Sequence, residues 1–153
     1  MLFVVFLAKV LIYARVSSNE NKANLDSQAE RLTQYAIARG YQIVEIVKEV
    51  GSGVNDNRKK LQKLLSQENW GMIVVEHKDR LTRFGFNYIQ TLLESQGRKI
   101  EVVNMAEDGT QDLMQDLVSI IYSFSARMYG LRRTKRKTEK IIQCLHEEIT
   151  NND

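Results

Sequence analysis

Short apolar runs recur along this chain, and each is followed by a longer stretch in which apolar residues return every three or four positions. The first run, Val10-Leu11-Ile12-Tyr13-Ala14, predicts a strand over about 9–15. A helix is predicted over about 24–39, with Leu25, Leu32, Tyr35 and Ala36 on one face and Gly40 as its stop. Ile43, Val44, Ile46 and Val47 predict a second strand over about 42–47. The Gly51-Ser52-Gly53 loop then leads to a helix over about 57–67. Gly71 precedes a third strand, Met72 to Val75, and a helix over about 84–96 follows, with Ile89, Leu92 and Leu93 facing inward and Gly97 at its end. A fourth strand falls at about 100–103, and a last helix begins near Gln111. Strand and helix alternate. Short, wholly apolar strands are buried on both faces, so the expected fold is α/β: a mostly parallel sheet of four to five strands covered by helices.

The last helix differs from the others. Leu113, Leu117, Ile120, Phe124, Met128 and Leu131 recur at spacings of three and four, with Ile121 beside them, and only Gly130 interrupts. Read as one helix, residues 111–149 would span ~58 Å at ~1.5 Å per residue. A globule of this size has a radius of gyration near ~15 Å, so the helix is expected to project. A projecting apolar stripe needs a partner, most simply a second copy. Leu117, Ile121, Phe124, Met128 and Leu131 are the expected oligomer contacts. The expected organisation is an α/β core over 1–110 and a long helix over 111–153.

The chain has 153 residues, the length of one domain, and a net charge of +3. The charge is unevenly placed. Residues 1–126 hold fifteen basic and fifteen acidic side chains. Residues 127–140 hold seven basic residues against the single acid Glu139. That excludes a histone-like coat of positive charge and points to one local contact with a polyanion. Arg127, Arg132, Arg133, Lys135, Arg136 and Lys137 are the candidates for that contact. Cys144 is the one cysteine and His77 and His146 are the two histidines, which excludes an intrachain disulfide, a thiolate cluster and a His-rich metal centre. The apolar N-terminus is too short for a membrane span and lacks a signal-peptide cleavage pattern, so a cytoplasmic protein is expected.

In a parallel α/β sheet, ligands bind beyond the carboxyl ends of the strands. Strand 1 ends in Arg15-Val16-Ser17-Ser18, and strand 2 leads to Glu49-Val50-Gly51-Ser52-Gly53 and then Arg58. Strand 3 runs into Glu76-His77-Lys78-Asp79-Arg80-Leu81-Thr82-Arg83. One rim therefore gathers a serine hydroxyl and four arginines. Arginine offers a permanently charged planar fork that matches phosphate oxygens. Several of them can stabilise the charge that develops in phosphoryl transfer, while a serine attacks phosphorus and forms a covalent intermediate. Asp79 could orient an arginine or serve as general acid. No metal or other cofactor is required by such a set.

These residues resemble the serine recombinases, the superfamily of resolvases, invertases and serine transposases. Tyr13-Ala14-Arg15-Val16-Ser17-Ser18 is similar to the nucleophile motif, and Leu25-Asp26-Ser27-Gln28 to the segment that follows it. Gly51-Ser52-Gly53 with Arg58 and Asp79-Arg80-Leu81-Thr82-Arg83 are similar to the two later motifs. The resemblance covers roughly residues 10–135. It implies a resolvase-like fold with flavodoxin-like strand order, Ser17 as nucleophile, and Arg15, Arg58, Arg80 and Arg83 on the scissile phosphate, supported by Gln28 and Asp79. It also implies cleavage and rejoining of DNA through a 5′-phosphoserine link, without ATP or metal, in dimers and tetramers assembled through the long helix. Ser17→Ala should then abolish the covalent adduct, and Arg15→Ala and Arg80→Ala should abolish chemistry while leaving folding intact.

Resolvases commonly carry Glu-Arg in the long helix, where this chain reads Ser123-Phe124-Ser125-Ala126-Arg127. That departure is similar to the small serine transposases of insertion sequences. Few residues precede strand 1, so a DNA-recognition domain is expected to be absent. A second reading follows, in which the chain oligomerises with a full-length transposase and regulates it. Other classes fit poorly. A receiver domain needs acidic residues at the end of strand 1, where this chain has Arg15 and Ser17. A dinucleotide fold needs GxGxxG there. An acidic-triad transposase needs three convergent carboxylates, and only Asp79, Glu49 and Glu76 lie near the rim.

Overall fold

A computed structural model describes residues 8–104, 109–129 and 131–151; the side chains of residues 129 and 131–135 lie outside the description. Residues 1–108 and 109–153 form two separate units.

The first unit is a four-stranded, all-parallel sheet in the order β2-β1-β3-β4. Its strands are β1 (Lys9–Val16), β2 (Gln42–Val50), β3 (Met72–Val75) and β4 (Lys99–Val102). Its helices are α1 (Lys22–Ala38), α2 (Lys59–Ser66), the single turn α3 (Lys78–Leu81) and α4 (Phe86–Ser95). Alternation along the central strands sorts the core into two layers. Leu11, Tyr13, Ile73 and Val75 pack with Leu61 and Leu64 of α2 and Leu93 of α4. Val10, Ile12, Met72 and Val74 pack on the other side with Leu32 and Ala36 of α1. Gly40 and Gly97 end α1 and α4 at φ +72°, a backbone region that other residues seldom enter.

Three local expectations change. β2 extends to Val50, because Lys48, Glu49 and Val50 continue in register opposite Ala14, Arg15 and Val16 of β1. The Asp79-Arg80 segment, read in sequence only as the run beyond strand 3, is a helical turn that buries Arg80 and Leu81. Leu92, expected inside, is 60% exposed, while its neighbour Leu93 fills the core.

The second unit contains α5 (Thr110–Tyr129) and α6 (Leu131–Thr150), which contact each other. The expected helix over 111–149 falls on these two elements, and residue 130 between them lies outside the described residues. Among the described residues, no helix is long and apolar enough to cross a membrane.

Candidate active site

β1 delivers Arg15 to the carboxyl edge of the sheet on the same side as Tyr13 and Leu11, two and four residues earlier. Its side chain is fully buried. Nε donates to the carbonyl oxygen of Arg80 at 3.0 Å, and Nη2 donates to that of Asp79. Nη1 donates to the carbonyl of Gly51 and to Ser17 Oγ, each at 3.0 Å. One guanidinium therefore ties the loops after β1, β2 and β3 together. It also places a positive charge against the hydroxyl that the sequence singles out. The expectation that Arg15→Ala would leave folding intact does not fit this burial.

Gln28 holds the same strand end from the opposite layer. It is fully buried on α1, accepts from the backbone N–H of Arg15 at 3.0 Å and donates to the Arg15 carbonyl at 3.2 Å. One turn later, Arg31 makes a two-pronged ion pair with the fully buried Glu76 at the end of β3.

Arg58 stands just before α2 and is 5% exposed. Its Nε donates to the Asn55 carbonyl and its Nη1 to the Tyr13 hydroxyl, both at 3.0 Å. Tyr13 in turn donates to Glu49 Oε1 at 2.7 Å. Glu49 also accepts from the first backbone N–H groups of α2, Lys60 at 2.9 Å and Leu61 at 3.2 Å, and so caps that helix. Burial, above all, raises the Tyr13 hydroxyl above its ordinary pKa. The nearby Arg58 pulls it down, and the bond to Glu49 raises it further. Tyr13 therefore stays a proton donor to Glu49. Glu49 and Tyr13 are the positioning residues that the motif reading missed. Their signal is the register, since Glu49 lies directly opposite Arg15.

On the third loop, Asp79 and Arg83 pair across one helical turn at 2.5 Å, with Asp79 exposed and Arg83 mostly covered. The Arg83 backbone N–H and the Thr82 hydroxyl both donate to the Gly53 carbonyl, at 2.9 and 3.3 Å. Arg80 is 5% exposed. Ser17 is half-buried, whereas Ser18 Oγ is buried with no hydrogen-bond partner among the described residues. Of the two hydroxyls, only that of Ser17 meets a guanidinium. Glu49 and Glu76 are committed to Tyr13 and Arg31, so the carboxylates near this rim do not converge. No cluster of metal-ligating side chains occurs among the described residues.

In the second unit, Phe124 and Met128 are 66% and 67% exposed, and Leu117 and Ile121 are half-buried. The buried α5 side chains are instead Asp112 and Asp116. Arg127, Arg136 and Lys137 are exposed. The side chains of Leu131, Arg132, Arg133 and Lys135 lie outside the described residues.

The profile described as "Resolvase, N terminal domain" matches residues 10–146. The C-terminal catalytic domain of ISC1926 TnpA, an IS607-like serine recombinase, superposes with a TM-score of 0.77 at 43% identity, covering 93% of this chain and 99% of that one. A protein of Acanthamoeba polyphaga mimivirus named as a resolvase is 37% identical, over 83% of this chain and 67% of its own. Mb2910c of Mycobacterium bovis, an uncharacterised protein, is 34% identical over 88% of this chain. The chain spans 45% of the length of that curated relative. With the family profile spanning nearly the whole fold and the serine rim in place beneath it, this chain belongs to the resolvase family of serine recombinases.

Proposed function

We propose that this chain cleaves and rejoins DNA by phosphoryl transfer through Ser17. The observation that carries the reading is the Ser17 hydroxyl held 3.0 Å from a fully buried arginine, with Arg58, Arg80 and Arg83 on the adjoining loops. Ser17 Oγ attacks the phosphorus of a DNA backbone ester. A bond forms from Oγ to phosphorus and the bond from phosphorus to O3′ breaks. The hydroxyl proton leaves Ser17, and the departing O3′ takes up a proton. The product is a 5′-phosphoserine link and a free 3′-OH. The ester stores the bond, so a 3′-OH can reverse the step without ATP.

Each side chain has a separate task. Arg15 favours the ionised form of Ser17 and fixes its position. Arg58, Arg80 and Arg83 meet the charge that spreads over the phosphoryl oxygens. Asp79 orients Arg83 through their ion pair. Gln28 acts on the Arg15 backbone and is a positioning residue. The exposed Phe124 and Met128 supply the contact between copies, and the basic segment around Arg127, Arg136 and Lys137 lies along DNA.

The test is incubation of the chain with plasmid DNA and quenching in detergent. Parent protein is expected to remain attached to cleaved DNA and Ser17→Ala is not. Equal adduct from both would defeat the assignment.

A further inference from the structure

We infer that the outer edge of the sheet carries a second contact for the DNA backbone. It is a basic track that leaves the arginine rim at Arg58 and follows β2 and α2, holding the strand that flanks the scissile phosphate. The inference rests on DNA being the substrate.

Among the described residues β2 is an edge strand, paired only with β1. Two open depressions lie along it. One, of about 580 Å³, includes Lys22, Lys48, Gly51, Arg58 and Lys59 in its lining. The other, of about 190 Å³, includes Glu45, Lys48, Lys60, Lys63 and Gln67. They share Lys48 and Lys60, and so form one trough. Its cations are Lys22, Lys48, Arg58, Lys59, Lys60 and Lys63, against the carboxylates of Asp26, Glu45 and Glu49. Two of the three carboxylates are committed. Asp26 pairs with Lys48 at 3.0 Å, and the buried Glu49 serves Tyr13 and the start of α2.

Lys22, Lys59 and Lys63 are exposed and have no carboxylate partner among the described residues. Residues 1–126 balance fifteen basic side chains against fifteen acidic ones, so this local excess departs from the domain's average. α2 produces the alignment. Leu61 and Leu64 turn into the core, which leaves Lys59 and Lys63 together on the outer face, one turn apart. One turn is ~5.4 Å. That is within two steps of a DNA strand, which carries a charge every ~3.4 Å. The trough is shallow and open, unlike an enclosed small-molecule pocket, and suits a chain of charges passing through. It starts at Arg58, where the proposed chemistry occurs, and that continuity selects DNA over an acidic protein surface.

The experiment is a salt series of fluorescence-anisotropy titrations with a mixed-sequence duplex of two helical turns, in the Ser17→Ala protein so that no cleavage intervenes. Lys59→Ala and Lys63→Ala are compared with Lys99→Ala, which removes an exposed lysine from β4 at the opposite edge of the sheet. Each track substitution is expected to reduce the slope of log affinity against log salt by about 0.9, the share of one phosphate contact. Lys99→Ala is expected to leave it unchanged. Duplex binding whose slope is the same in Lys59→Ala, Lys63→Ala and the unsubstituted track, or falls equally in Lys99→Ala, overturns the track alone. No duplex binding by Ser17→Ala at any salt overturns the DNA reading together with it.

Discussion

Arg15→Ala removes a side chain that joins three loops. The guanidinium is fully buried and donates to the carbonyls of Gly51, Asp79 and Arg80 and to Ser17 Oγ. A hydrogen bond from a charged donor contributes ~1.5–3 kcal/mol, so the three carbonyl bonds gross roughly 4.5–9 kcal/mol. Two terms offset this. Deleting a buried cation recovers a desolvation cost of several kcal/mol, taken as roughly half the gross figure. The bonds to Gly51, Asp79 and Ser17 are only partly buried, so water can replace some of them. A net loss of about 3 kcal/mol is expected. At ~2–4 °C per kcal/mol for a chain of this length, Tm falls by ~6–12 °C. Urea unfolding followed by far-UV circular dichroism gives the free energy, with Arg83→Ala alongside. That substitution breaks an ion pair to an exposed carboxylate and should cost less than Arg15→Ala. An Arg15→Ala protein within ~0.5 kcal/mol of the parent, the range of ordinary surface substitutions, would refute the reasoning.

Two further predictions concern Tyr13 and the α5 stripe. The Tyr13 hydroxyl is raised above its ordinary value near 10, chiefly by burial. Above that value the unfolded chain loses the proton while the folded chain keeps it, so stability falls as pH rises, by up to ~1.4 kcal/mol per pH unit. Tyr13→Phe should flatten this part of the decline in urea titrations from neutral to alkaline pH; parallel declines in parent and variant would contradict it. Phe124→Ser combined with Met128→Ser removes two exposed apolar side chains, so it should weaken self-association in sedimentation while leaving Tm nearly unchanged. A parent chain that stays monomeric at high concentration would rule out this interface.

The strands were legible because each is an apolar run of the right length, and the helices because their apolar faces repeat. The end of β2 was not. Lys48-Glu49-Val50 reads as polar, and only pairing with β1 keeps it extended. α3 is one turn long, too short to show a period. Leu92 and Leu93 look alike in sequence, and the packing of α4 decides between them. At the site, the arginines and Ser17 stood out through motif spacing. The tasks of Arg15 and Gln28 did not, because both depend on carbonyls and amides that converge only in three dimensions. Tyr13 reads as a packing residue until the register places Glu49 and Arg58 around its hydroxyl.

The central claim is that Ser17 Oγ forms a bond to DNA phosphorus. The most direct measurement is nuclease and protease digestion of the detergent-trapped complex, followed by mass spectrometry of the modified peptide. The account predicts a nucleotide 5′-phosphate esterified to Ser17. An adduct on Ser18 or Tyr13, or cleaved DNA carrying no protein at its 5′ ends, would contradict it.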